Sequence, residues 1–144
     1  MDSSATKARA PRRADVGKSL DARPAPLIGL DLVEPERIKA TIDRTPRLAS
    51  RLFHPRELAY CERQAKPQQH LAARFSAKEA VTKALGINGF EPLDVEVVDG
   101  GADCGLRLHG EAAKAAEELK VVVTVSLTHV AGVAAAVALA RPTA

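Results

Sequence analysis

The chain has 144 residues, enough for one domain with a real core. Hydrophobic residues make up 46% and aromatics only 3%, so that core must be built from Leu, Val, Ile and Ala. Two cysteines in unrelated contexts exclude a disulfide scaffold and a Cys-rich metal site, and they fit a reducing cytosol, hence a cytoplasmic protein. No apolar run reaches the ~20 residues of a membrane span. The formal net charge of +3 resides in residues 1–26, which hold six Lys/Arg against three Asp. The remaining body is neutral but polarised: residues 34–83 carry eleven basic and six acidic side chains, and residues 84–144 four basic and eight acidic. A basic first half calls for an acidic partner. It is not a nucleic acid, because the basic residues are not interleaved with aromatics and no zinc-finger or RNP pattern is present.

In chain order, residues 1–26 are rich in Ala, Arg, Pro and Ser and lack the apolar content to offset ordering entropy, so they read as a flexible basic tail. Residues 27–144 read as one domain. "LIGLDL" is a short strand interrupted by Asp31, and Ile38 and Ile42 give the following segment helical spacing. Thr45 with Pro46, and then Pro55, mark two further helix starts. "QQHLAARFSAKEAVTKALG" is the longest helix, closed by Gly86. The period then changes. "LDVEVV", "GLRLHG", "VVVTVSLTHV" and "GVAAAVALA" have strand character, with a helix "EAAKAAEELK" after the second. The order β, several helices, β, β, α, β, β predicts an α+β fold with a mostly antiparallel sheet packed on a long helix.

On that helix, Ala72, Ser76, Glu79, Lys83 and Gly86 share one stripe, flanked by the methyl groups of Ala73, Ala77, Ala80 and Ala84. Such a helix can lie very close to a neighbour. Glu79 and Lys83 are then either a surface i,i+4 ion pair, worth ~0.3–0.5 kcal/mol, or half of a site for a metal and a phosphate. Asp31 has two readings as well: in "DLVE" it can cap the next helix with Glu34 reaching back, or it can supply a second carboxylate. His129, at the end of a strand, reads alone as a turn histidine.

Taken together, "GLDLVEPERI", "RFSAKEAVTKALG" and "VSLTHVAGVAAAVAL" change the weighing. In this order, over residues 27–140, they strongly resemble the holo-acyl-carrier-protein synthase type of 4′-phosphopantetheinyl transferase, and the paired G-x-D and K-E-A-x-x-K motifs are the specific part. The resemblance implies a trimer with active sites between subunits. It implies coenzyme A and an acidic apo acyl carrier protein, of fatty-acid or polyketide type, as substrates, and Mg²⁺ as cofactor. Asp31 and Glu79 match the metal-binding acids, and Lys83 matches the phosphate-binding lysine. His129 matches a histidine near the coenzyme A phosphates, with Ser126 and Thr128 as weaker candidates beside it. Arg74 and Phe75 match positions where coenzyme A contact is expected. The resemblance also puts carrier docking on the first helices, where Arg37, Arg44, Arg47 and Arg51 lie. This fits the chemistry: Mg²⁺ takes carboxylate and phosphate oxygens, and phosphoryl transfer is catalysed by position and charge without a covalent enzyme intermediate. The carrier serine's proton passes either to a metal-held water or to a carboxylate. The sequence departs from the family at residues 99–105, which lack the usual Gly-Lys-Pro or Gly-Arg-Pro turn, and at Val130, where a polar residue is usual. The competing reading is a non-catalytic relative that binds acidic carrier proteins, which the retained Asp31, Glu79 and Lys83 oppose.

Overall fold

The computed structural model describes residues 27–100 and 104–144. The expectation for the tail, residues 1–26, and part of that for the loop 99–105 lie outside the described residues. The chain opens with β1 (Leu27–Val33), then passes through four helices: α1 (Pro35–Arg44), α2 (Arg47–Leu52), α3 (Pro55–Glu62) and α4 (Pro67–Leu85). A 3-10 turn (Pro92–Asp94) leads into β2 (Val95–Val98) and β3 (Gly105–Leu108). Helix α5 (Gly110–Leu119) and the long strands β4 (Val121–Val130) and β5 (Val133–Pro142) complete the order.

All strand pairs among the described residues are antiparallel, as expected, but they form two sheets and not one. β5 is central between β1 and β4, and β2 pairs only with β3. The sequence pattern could not separate them, because alternation marks a strand and not its neighbour. Proline starts α1, α3 and α4, where its fixed φ suits the first turn. Gly86 ends α4 at φ 67°, the left-handed conformation that only glycine adopts without strain. The capping reading of Asp31 is overturned. Asp31 is the fifth residue of β1, and Glu34 precedes α1 without a side-chain cap. Thr45 likewise closes α1 instead of opening α2 with its side chain. Its carbonyl accepts the Leu48 amide at 2.9 Å, and Pro46 stands before the helix.

The core is small-residue packing. Ala77, Ala80, Val81 and Ala84 of α4 meet Ala136 and Ala138 of β5 and Val95 and Val97 of β2, with Ala112 and Ala116 of α5 at the far side. A second cluster joins Ile38 of α1 to Ala72, Ala73 and Ala134. The other face of the three-stranded sheet is bare. Ile28, Leu30 and Leu32 are 56–63% exposed, and Val122, Val130 and Val137 are exposed too.

Candidate active site

The site begins with a glycine. A Cβ on Gly29 would stand 1.8 Å from the Ala80 carbonyl oxygen and 2.8 Å from the Ala84 amide nitrogen. β1 therefore runs against the main chain of α4, an approach that needs glycine on the strand and alanines on the helix. Strand side chains alternate, so Asp31, two residues on, faces α4 as Gly29 does, while Leu30 and Leu32 face outward. Lys83 Nζ donates to Asp31 Oδ1 at 2.9 Å and to the Leu30 carbonyl at 3.0 Å. The expected Glu79–Lys83 surface pair is thus not what the lysine makes: its ion pair is with Asp31. Glu79 stands one turn earlier on the same side of α4. Its carboxyl is pushed up, first by burial, then by the charge of Asp31, with Lys83 acting in the opposite direction. Two carboxylates and one ammonium therefore share the β1–α4 seam. The two acids repel each other and are held together by the fold, the donor set a hard divalent cation would relieve.

Phe75 lies one further turn back on α4, half-buried, its ring edge-on to Phe90 at 5.5 Å. Arg74 is only 3% exposed. It donates to the Asp99 carbonyl at 2.6 Å and lays its guanidinium over the Tyr60 ring at 4.0 Å, while its Nε is buried without a partner. Beside it a groove of about 290 Å³ is lined by Tyr60, His70, Ala73, Arg74, Gly100, Cys104, Leu127 and His129. The His70 and His129 rings meet edge-on at 5.1 Å. His70 is held below the usual histidine range, first by burial, then by the positive charges of His129 and Arg74. This groove suits an anion, but in one chain it is apart from the acid pair. His70 precedes Glu79 by nine residues of α4, roughly 13 Å at 1.5 Å per residue.

Sequence reasoning grouped Ser126 and Thr128 with His129, and within one chain the structure separates them. His129 pairs with buried Ala134 on the helix side of the sheet. Ser126 and Thr128 pair with Val137 and Ala135 and are exposed on the opposite, bare face. The period of two decides this. Arg37, Arg44, Arg47 and Arg51 are all exposed along α1 and α2.

Three groups escaped the sequence reading. One is His70. Another is the fully buried ion pair of Lys78 with Glu57 at 2.8 Å. The third is the cluster His54, Glu96 and His109. Each joins residues distant in sequence. The only local signal was Lys78 inside the alanine-rich stretch, on the face opposite solvent.

Comparison with known proteins adds the following. A family model described as the 4′-phosphopantetheinyl transferase superfamily matches residues 27–138. The holo-[acyl-carrier-protein] synthase of Moorella thermoacetica is 45% identical over 116 residues, spanning 77% of this chain and 90% of that protein. The Chronobacterium ammoniagenes ACPS–CoA complex superposes with a TM-score of 0.70 at 28% identity, over 83% of this chain and 99% of that one. The Helicobacter pylori holo-[acyl-carrier-protein] synthase in complex with coenzyme A gives 0.67 at 25% identity, over 79% and 99%.

Proposed function

The chain belongs to the 4′-phosphopantetheinyl transferase superfamily, and from that premise we infer that it transfers the 4′-phosphopantetheine group of coenzyme A to a serine of an apo acyl carrier protein. The products are holo carrier protein and 3′,5′-ADP. The observation that carries this reading is the convergence of Asp31, Glu79 and Lys83 where β1 crosses α4. Mass spectrometry of an apo carrier protein incubated with the chain, coenzyme A and Mg²⁺ tests it. The carrier gains one phosphopantetheine; a carrier that binds but gains no mass would make the chain a docking protein only.

The residues divide the work. Asp31 and Glu79 would hold Mg²⁺, which when bound supplies the charge that neutralises the pyrophosphate oxygens and stabilises the departing 3′,5′-ADP. Lys83 is half-exposed at its tip and tied to Asp31. A long flexible ammonium there can turn from the carboxylate to a phosphate oxygen as a point charge. The carrier serine oxygen attacks the phosphorus that bears pantetheine, and the bond from that phosphorus to the nucleotide half breaks. The serine proton leaves to a water or to one of the two carboxylates. The groove of Arg74 and His129 accommodates the more distant phosphate and nucleotide, with Phe75 between it and the acids.

Assembly follows from the bare sheet. A contiguous face of Ile28, Leu30, Leu32, Val130 and Val137 is too apolar to stay wet. We propose that three chains close around it, which also buries Ser126 and Thr128 and lets one chain's sheet face approach its neighbour's seam. Leu30→Lys, which puts a charge in that face, converts a trimer to monomers and abolishes most activity. Sedimentation of wild type and variant at micromolar concentration checks this, and an active wild-type monomer would contradict it. Among the described residues no helix is long and apolar enough to cross a membrane. Both cysteines are free, with burial pushing the Cys61 thiol up to about 11. A cytoplasmic enzyme is consistent with both.

Docking of the carrier belongs to α1 and α2, whose Arg37, Arg44, Arg47 and Arg51 make no ion pair among the described residues. Exposed pairs contribute only ~0.2–1 kcal/mol each. Arg37→Glu, which adds repulsion to the lost attraction, therefore raises the carrier's KM several-fold and leaves that of coenzyme A unchanged. Added salt raises the carrier's KM in the wild type and less so in the variant, because screening acts on the attraction removed. Equal shifts for both substrates would place docking elsewhere.

A further inference from the structure

Away from the β1–α4 seam, three elements bring two imidazoles and a carboxylate to one point. His54 is the residue immediately before α3, Glu96 lies in β2, and His109 is the residue immediately before α5. One ligand atom from each lies within 4.8 Å of the others. The His54 and His109 rings are 5.1 Å apart and tilted by 35°. Glu96 forms the floor at 5% exposure. Its Oε2 is 3.1 Å from His109 Nε2 and 3.3 Å from Arg107 Nη1. We propose that His54, Glu96 and His109 form a binding site for a divalent transition metal of the zinc class, separate from the oxygen site of Asp31 and Glu79.

The donor types select the metal. Two imidazoles and one carboxylate suit Zn²⁺ or Co²⁺, whereas Mg²⁺ takes oxygen donors only. Three protein ligands leave a fourth position for water, the open kind of zinc site. Bonds of ~2.1 Å in a tetrahedron put the donors ~3.4 Å apart, so donors that lie within 4.8 Å of one another close by up to about 1.4 Å on binding.

The surroundings support ligation. The Leu93 carbonyl, 2.8 Å from His54 Nε2, can only accept, so the proton of His54 sits on Nε2 and Nδ1 carries the lone pair. A histidine whose second nitrogen donates to a main-chain carbonyl is the usual partner arrangement of a metal-bound imidazole. The contacts of Glu96 Oε2 with His109 Nε2 and Arg107 Nη1 fix that oxygen at the floor of the cluster. On binding, the metal displaces the proton between His109 and Glu96 to solvent. Arg107, whose side chain is 52% exposed, is free to swing away. His109 is tied at its backbone, its amide donating to the Asp94 carbonyl at 2.8 Å. An ion here would clamp the starts of α3 and α5 to the small sheet.

The test uses the full chain, untagged and stripped with chelator, with Mg²⁺ in excess to hold the oxygen donors of Asp31 and Glu79. It is titrated with Co²⁺ alone, followed by visible absorption, and with Zn²⁺ alone, followed by native mass spectrometry and calorimetric Tm. The variants are His54→Thr and His109→Asn, each keeping a good residue for the position before a helix. Glu96 is intact in both. One equivalent of metal per chain, a Tm raised by several degrees with Zn²⁺, and an affinity at least about threefold weaker in either folded variant support the site. A wild-type chain that takes up no Co²⁺ at micromolar concentration overturns it. So does an affinity changed less than threefold in both variants, or a loss of Co²⁺ in Glu79→Ala instead. Phosphopantetheine transfer with Mg²⁺ persists in His54→Thr whichever way the metal result falls, so the two readings fail separately.

Discussion

Glu79→Ala and Asp31→Ala each lower the turnover of phosphopantetheine transfer by about 10²–10³-fold or more while leaving the fold in place. That is the range lost when one group aimed at developing charge is removed from a preorganised site. Neither substitution opens a sealed cavity, because Asp31 retains 17% side-chain exposure and Glu79 is half-buried. The pH profile carries the signature. The carboxyl of Glu79 is pushed up by burial and by Asp31, so it takes a proton at a higher pH than an ordinary glutamate and then ceases to be a ligand. The acid limb of kcat therefore sits above the usual carboxylate range, and it moves to lower pH as Mg²⁺ is raised, since metal and proton compete for the same oxygen. The sign for stability is opposite. A raised folded pKa means that the folded chain binds the proton more tightly than the unfolded one. Stability from this group is then greatest below the ordinary glutamate pKa and is lost as pH rises through the folded value. Without metal, Glu79→Ala is thus at least as stable as wild type at neutral pH. Steady-state kinetics over pH at two Mg²⁺ concentrations, with thermal melts in chelator, check both signs. Near-wild-type turnover of either variant at low Mg²⁺ would remove the acid pair from the chemistry.

The features that sequence reveals here are those written within one element. Gly86 at a helix end, Pro55 at a helix start, and the switch to alternation after Gly86 each act over a few residues, so these elements fall where they are expected, while Thr45 and Pro46, read as the opening of α2, stand before it. Asp31, Glu79 and Lys83 were legible only through the paired G-x-D and K-E-A-x-x-K motifs and the family they resemble; spacing and the alanine stripe alone left them as a helix cap and a surface ion pair, because β1 and α4 are separated by three helices. What stayed hidden required knowing which elements meet. Nothing local says that β2 and β3 leave the main sheet, or that His70 finds His129. The alternation that identifies β4 also places Ser126 and Thr128 opposite His129, a consequence missed when the three were grouped by proximity in sequence. Glu57 reads as an ordinary acid of a helix first turn, which it is: its Oε2 accepts the His54 amide at 2.8 Å. Its second task, 21 residues away, is visible only in the fold.

That second task gives the largest effect on stability. Lys78→Met removes the ammonium that joins α3, α4 and the entrance to β2. Lys78 Nζ donates to Glu57 Oε2 at 2.8 Å, to the Pro92 carbonyl at 3.0 Å and to the Val95 carbonyl, and both side chains of the pair are fully buried. All three donor sites of the ammonium are used. Burial pushes its pKa down, and Glu57 acts in the opposite direction; the geometry shows the charged form, since a neutral amine could not donate three times. Methionine fills nearly the same volume, so the loss is electrostatic. It leaves the Val95 carbonyl without its ammonium donor and the Pro92 carbonyl with only the Val95 amide, and it leaves Glu57 charged in the interior, still bonded to the amides of His54 and Val97 but without its counter-ion. Breaking one side of such a pair costs ~3–5 kcal/mol, a fall in Tm of roughly 10–20 °C for a domain of this size. Glu57→Gln with Lys78→Met removes the stranded charge and recovers part of that loss, which separates the penalty of an unpaired ion from the worth of the pair. Thermal denaturation of the two singles and the double measures it. A Lys78→Met chain melting within about 3 °C of wild type would mean that the pair is not what ties α3 to α4 and the entrance to β2, and that this join rests instead on Phe53, whose buried ring lies 5.6 Å from the ammonium.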